Sequence, residues 1–344
     1  MKLLNQNQLK QLVLGSSLLA TGGGGSLQSA KKLIKKINQP PTLTSLTELK
    51  TNDITATVFG IGGQEKCDPI KASNLALKTF KTNLNQPIKA IIPVEIGPLA
   101  IATAAFIASK TRLKLLDADI VGFRSSPEVF LETISIPNLP RHPSVIANDQ
   151  NDILILLKTK DIQTTEKIFR DFAITSGGDA IVFGYPLTIK QIKNIVGANS
   201  LSFSLNLGKA LLKLKQNQLT LDQFCQDFQF QQISQGKITS QKTRIQQGFT
   251  QGKLVIKTPN GNLSIIIKNE NIAVIKNNQV LVTVPDLICL LDTNLFSGIN
   301  NFDNNLNKTV AVLAKPAIPI WRTQKGKALF SPKNLGYNFK QKLL

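Results

Sequence analysis

The sequence predicts an α/β protein: an N-terminal α/β domain with a partly parallel sheet, then a C-terminal α+β domain rich in strands. Three observations carry this. Ile88 to Val94, Leu99 to Ser109 and Leu113 to Leu116 read as strand, helix and strand, a unit whose strands run parallel through a right-handed crossover. Helix-period apolar patterns alternate with strands through the first half of the chain. Past Gly236 the texture changes to short apolar or alternating runs, parted by Pro259-Asn260-Gly261 and Asn277-Asn278. The expected domains are residues 1–163 and 164–344.

Taken in order, Leu3, Leu4, Leu9, Leu12, Val13, Leu18 and Leu19 mark an amphipathic helix over residues 3–20. It stops at Thr21-Gly22-Gly23-Gly24-Gly25, and Ser26 caps a second helix to about Ile37. Thr55 to Phe59 reads as a strand and Gly60-Ile61-Gly62-Gly63 as a glycine loop after it. Asp68-Pro69 opens a helix to about Phe80. Beyond the strand–helix–strand unit, Val129 to Ile136 and Ile153 to Leu157 are expected strands, with a turn-rich Pro137 to Asn151 between them. Thr164 to Phe172, Thr188 to Asn194 and Leu205 to Lys215 read as helices. Leu254 to Lys257, Leu263 to Lys268, Ala273 to Lys276, Val280 to Val284 and Thr309 to Ala314 read as strands. The Gln-rich span from Gln223 to Gln251 keeps regularly placed apolar residues and is expected to be ordered.

Composition excludes much. A hydrophobic content of 42% supports a sizeable core, so wholesale disorder is excluded. The net charge of +20 invites a nucleic-acid partner. Yet nearly all of it is lysine, spread along the chain with only doublets at Lys31-Lys32 and Lys35-Lys36. Phosphate and base recognition favour clustered arginine with interleaved aromatics. The charge is therefore read as a solvated lysine surface, and nucleic acid is not the expected partner. The three cysteines, Cys67, Cys225 and Cys289, are scattered and suit free buried thiols in a reducing compartment. His142 is the single histidine, which excludes multi-histidine zinc sites. No apolar stretch reaches membrane-spanning length. Lys10 and Gln11 interrupt the leader-like run near the start, so a cytoplasmic location is expected.

Carboxylates are what remains for chemistry. Glu95 stands where a strand ends and a helix begins, and Asp117 and Asp119 stand at the end of the next strand. In an open parallel sheet those ends line the ligand crevice, so both groups are expected to face it. Crowded carboxylates raise one another's pKa, which lets one act as a proton donor near neutrality. The plain alternative makes them turn and cap residues. Gly22 to Gly25 lead into a helix N-terminus that offers amides to an anion, or form a tight interhelical turn. Asn269-Glu270-Asn271 reads as a hairpin turn.

Several segments together resemble one family. Thr21 to Gly25 resembles its N-terminal glycine-rich signature, and Pro93-Val94-Glu95-Ile96-Gly97 with Asp117-Ala118-Asp119 its central signature. Gly122 to Glu128 looks like a degraded Gly-Arg-Ala-Phe-Pro-Glu. Asn269-Glu270-Asn271, Val284 to Ile288, Trp321-Arg322-Thr323 and Leu335-Gly336-Tyr337 follow in order. This ordering resembles the S-methyl thiohydantoin desulfurase family across essentially the whole chain. The resemblance implies two domains, chemistry on thiohydantoin or hydantoin-like rings with hydrolytic loss of sulfur, and association with hydantoinase and oxoprolinase systems. Where the family has Gly-Gly-Asn after Glu-Ile, this chain has Gly97-Pro98-Leu99, and Phe123 to Ser126 replaces the Arg-Ala-Phe segment with Arg124 as its arginine.

The expected function is thus a hydrolase acting on a small cyclic amide or thioamide through carboxylate acid–base chemistry. Glu95 and Asp119 are its expected core pair, with Asp117 and Glu128 in support. Gly22, Gly23, Gly24, Gly25, Arg124, Asn269 and Glu270 are the expected substrate-binding residues. No ligand spacing defines a metal site, and a carboxylate-held divalent metal stays open. A small-molecule partner is expected, no membrane is, and a homo-oligomer is left open. The departures at Pro98 and at Phe123 to Ser126 motivate an alternative, a non-catalytic binding protein of the same fold. The charge motivates a third reading, a nucleic-acid binder.

Overall fold

Side-chain caps fix where the helices of this chain start. Asn5 and Gln8 form a reciprocal cap at the first helix, and Ser26 accepts the amides of Gln28 and Ser29 at the second. Asp68 caps the third ahead of Pro69, and Asp161 caps the fifth through Thr164. The computed structural model describes residues 1–62, 66–83 and 87–344. Its helices are α1 (Gln6–Leu19), α2 (Leu27–Ile34), α3 (Pro69–Thr82), α4 (Pro98–Thr111), α5 (Ile162–Thr175), α6 (Ile189–Ile192), α7 (Ser200–Lys215), α8 (Leu221–Phe228), α9 (Pro319–Arg322) and α10 (Gln324–Leu329). Its strands begin with β1 (Lys2–Leu3), β2 (Thr42–Thr44), β3 (Ile54–Gly62), β4 (Ile88–Pro93), β5 (Lys114–Leu116) and β6 (Ala118–Asp119). Then come β7 (Ser144–Ala147), β8 (Ile153–Leu156), β9 (Asp179–Thr188) and β10 (Gly197–Ala198). The last are β11 (Gln231–Gln246), β12 (Phe249–Thr258), β13 (Gly261–Lys268), β14 (Glu270–Lys276), β15 (Gln279–Thr283), β16 (Leu287–Asp292), β17 (Ser297–Gly298) and β18 (Thr309–Lys315).

The first sheet runs β1-β2-β5-β4-β3-β9-β7-β8, with β2, β5, β4 and β3 mutually parallel. The strand–helix–strand reading of residues 88–116 is therefore correct. Both faces of this sheet are buried, which is why β4 is almost wholly apolar. Ile91 packs toward the core shared with α1, α3 and α4, whereas Ala90 and Ile92 pack toward the core shared with α5. The second sheet, β15-β14-β13-β12-β11-β18-β16-β17, is antiparallel throughout. The protein is thus a two-domain α/β molecule, one sheet mixed and helix-covered, the other strand-rich. A boundary near residue 163 falls at the start of α5, and β9 beyond it returns to the first sheet between β3 and β7. Among the described residues no helix is long and apolar enough to cross a membrane.

Several local readings are corrected. Val129 to Ile136 is not a strand. It forms two short 3-10 turns, at Val129–Leu131 and Thr133–Ser135, with buried apolar side chains, because its backbone bonds locally, Leu131 N–H to the Glu128 carbonyl and Ser135 N–H to the Glu132 carbonyl. The segment Pro137 to Asn151 contains a central strand, β7. Gly60, Ile61 and Gly62 extend β3 and pair with β9, rather than forming a loop, and Gly63 lies outside the described residues. The Gln-rich span folds as most of α8, all of β11 and the start of β12, and the polar side chains of β11 line an exposed face.

Candidate functional site

The C-terminal ends of the parallel strands β3 and β4 open into a cleft of about 150 Å³. One wall carries Phe59, Ile61 and Val94; Glu95, Glu128, Glu132 and Arg170 make it polar, and Asn269 and Glu270 close it from the second sheet. This is where a doubly covered parallel sheet places ligands, because strand ends leave backbone and loop side chains free of the sheet core.

Glu95 follows β4 and sits one turn ahead of α4. Its carboxylate accepts the Ser126 N–H at 3.2 Å. Burial pushes its pKa up to about 7; the Ser126 and Ser125 donors oppose the rise, and the carboxylates of Asp119 and Glu132 reinforce it. Glu270 opens β14 after Asn269, whose left-handed backbone (φ 55°) makes the tight connection from β13. The expected hairpin turn is present there, and it delivers Glu270 to the cleft. Glu270 is only 3% exposed, and its Oε2 has no hydrogen-bond partner. Burial and the neighbouring charge of Glu95 hold its pKa well above the ordinary carboxylate range, with Arg124 partly offsetting them.

Gly24 and Gly25 line the cleft, while Gly22 and Gly23 pack beneath it. The turn is glycine for two physical reasons. Gly22, Gly24 and Gly25 have positive φ. A β-carbon on Gly23 would stand 1.8 Å from Glu270 Oε1, and one on Gly24 would stand 2.4 Å from the Gly97 Cα. The turn is also a clamp: Asn271 N–H donates to the Thr21 carbonyl, Asn301 N–H to Gly22 and Leu99 N–H to Gly24. Asn269 spends its carboxamide oxygen on the Thr250 N–H at 2.8 Å.

The other expected residues lie elsewhere. Asp119 is fully buried, and its carboxylate accepts the amides of Val121, Gly122 and Phe123, with Val121 and Phe123 at 3.0 Å. Burial raises its pKa to about 6 in spite of those donors. Asp117 accepts the Ser202 N–H at 2.9 Å and the Ser202 hydroxyl, tying β5 to the first turn of α7. Neither aspartate lines the cleft. The expectation that Glu95, Asp117 and Asp119 face one crevice therefore holds for Glu95 alone. Arg124 does not line the cleft either. Its guanidinium is buried below it, donates to the carbonyls of Ser125, Pro285 and Asp286, and lies 4.6 Å from the Phe330 ring centroid. Its Nη2 is unpartnered, and burial lowers its pKa to about 10 against the pull of Glu270. Glu128 lines the cleft in an ion pair with Lys268, its pKa raised by burial despite that lysine.

Sequence reasoning missed Glu132 and Arg170. Glu132 is 1% exposed, pairs with Arg141 at 2.7 Å, and has its pKa pushed up to about 7 by burial. Arg170 pairs with Glu166, donates to Pro127 and Gly248, and covers the Phe249 ring at 3.8 Å. Arg170 had the signal of an i,i+4 Glu-Arg pair; Glu132 had none, since its segment reads as a strand. His142 bonds Thr159 at 3.0 Å and lies outside the cleft. Among the described residues no group of three or more His, Cys, Asp or Glu side chains is arranged to hold a metal.

Fold and site define a two-domain α/β protein with an acidic cleft at its parallel strand ends, closed by a glutamate from the second domain. Models of the S-Me-THD-like N-terminal and C-terminal domains match residues 7–158 and 159–344, so the chain belongs to the S-methyl thiohydantoin desulfurase family. Its fold is similar to a crystal structure of a Chromobacterium violaceum protein, with a TM-score of 0.84 and 18% identity over 99% of both chains. No curated protein matches the chain.

Proposed function

We propose that the protein is a hydrolase of a small cyclic amide or thioamide, a thiohydantoin or hydantoin-like ring, and that Glu95 and Glu270 are its acid–base pair. One observation carries this reading: a carboxylate from each domain faces one cleft, each held above its ordinary pKa by burial, with the charge of Glu95 adding to the rise at Glu270. Two such groups share protons unequally near neutrality. Glu95, with its hydrogen-bond donors, is the one that ionises first and serves as base. Glu270, with an unpartnered oxygen, stays protonated and serves as acid.

On a thioamide ring carbon, Glu95 takes a proton from water as the water oxygen bonds to that carbon. The sulfur takes the proton of Glu270 as the C–S bond breaks. As the added hydroxyl becomes a carbonyl it passes its remaining proton to the sulfur of a thione, which departs as hydrogen sulfide, or to the ring nitrogen of an S-alkyl ring, from which a thiol departs; proton return from Glu95 to Glu270 resets the pair. With an amide, the same proton transfers open the ring at nitrogen. The Gly24–Gly25 backbone receives the anionic oxygen of the substrate, and Asn269 and Glu128 fix the cleft wall around it. The association with hydantoinase and oxoprolinase systems that the family resemblance implies would fit the same substrate class.

Glu95→Gln and Glu270→Gln test it. Each is expected to stay folded and lose roughly 10³-fold in thiohydantoin turnover, the range of a general acid or base. Wild-type turnover in either variant removes that residue from the mechanism. A second reading rests on Leu99, an apolar residue lining the cleft where the family pattern has Asn. It makes the protein a binder of the same ring class. A wild-type chain that binds a hydantoin but turns over no hydantoin or thiohydantoin favours it.

A further inference from the structure

The first sheet ends in an open edge. β8 pairs with β7 on one side and, among the described residues, with no strand on the other. Unpaired edges template the addition of another strand, and soluble proteins blunt them with lysine, proline or bulges. Residues 153–157, Ile-Leu-Ile-Leu-Leu, carry none of these. Their outward face is apolar: Ile153 and Ile155 are each 41% exposed and Leu157 is 68% exposed. In the β7–β8 ladder Ile155 lies opposite Val145, and Ile153 opposite Ala147. Val145 and Ala147 are buried in the core on the α3 side. The exposed stripe is therefore a core face continued past the cover of α3.

The charges beside the stripe say what covers it. Asp152 and Lys158 stand three residues either side of Ile155, and both are exposed. An antiparallel copy of this strand centred on Ile155 sets each Asp152 opposite the other chain's Lys158. It also sets Ile153 opposite Leu157 and Ile155 opposite itself. Directly opposite residues of an antiparallel pair share a face, so the six apolar side chains meet on one side. A register shifted by one residue loses both ion pairs and the self-match. This self-complementarity is what an isologous two-fold contact requires, and an unrelated partner would not need it.

We infer that β8 is a homodimer interface, two copies pairing β8 to β8 antiparallel about Ile155 and joining their first sheets into one. This holds whether or not the cleft is a hydrolase site.

Sedimentation velocity on the full chain tests it. The wild type is expected to dimerise. Lys158→Asp sets like charges opposite each other at both ends and is expected to raise the dimer dissociation constant roughly tenfold. Adding Asp152→Lys to it restores opposite charges and the affinity. Ile155→Cys is expected to cross-link to its own copy under mild oxidation, whereas Ile153→Cys, set opposite Leu157, is not; the wild type controls for Cys67. A wild type that stays monomeric at its highest soluble concentration overturns the inference. So does a dimer indifferent to Lys158→Asp, or one in which Ile153→Cys cross-links as well as Ile155→Cys.

Discussion

Two acidic regions of this protein look alike in sequence and differ in kind. Asp117-Ala118-Asp119 follows β5, and Glu95 follows β4, both at the carboxyl end of a parallel strand. Asp119 accepts three backbone amides of its own turn, and Asp117 is held by Ser202 at the start of α7. Glu95 has one backbone donor and faces a cleft, where Glu270 adds a carboxylate with an unpartnered oxygen. The lesson is that position at a strand end is not enough. A carboxylate whose oxygens are spent on amides is structural; one left partly unsatisfied in a cavity is available for proton transfer.

The sharpest way to break this contrast is Asp119→Ala. It strips three amides of their acceptor inside the core and is expected to cost about 3 kcal/mol of stability, read by urea denaturation. The protein that stays folded is expected to keep its turnover. A folded Asp119→Ala that loses as much turnover as Glu95→Gln would erase the distinction. Gly23→Ala, a smaller effect, sharpens it from the other side. The new methyl displaces the Glu270 carboxylate, so kcat is expected to fall roughly tenfold or more with KM little changed. An unaltered kcat would show that the position of Glu270 is immaterial.

The sequence made some of this legible and hid the rest for identifiable reasons. The β4–α4–β5 crossover was readable because β4 is apolar throughout and Pro98 marks a helix start. Glu95 was readable from the same boundary. β7 was hidden because its four residues sit among turn formers and owe their strand to pairing with β9. The roles of Asp117 and Asp119 were hidden because local hydrogen bonding to backbone leaves no periodic trace. Glu270 was legible as a substrate-binding candidate beside a hairpin turn, but its place in the cleft with Glu95 comes from the packing of the second sheet against the glycine turn, which no local pattern records.

The central claim is that Glu95 and Glu270 divide the roles of base and acid. The pH dependence of kcat/KM on a thiohydantoin tests it most directly. Glu95 must be ionised to act as base, so activity is lost as pH falls through about 7, the pKa that burial gives it. Glu270 must be protonated to act as acid, so activity is lost again as pH rises through its higher value. The account predicts a bell whose acid limb drops about tenfold per pH unit and disappears in Glu95→Gln. A wild-type profile flat from roughly pH 5 to 8, or an acid limb that survives Glu95→Gln unchanged, would contradict it.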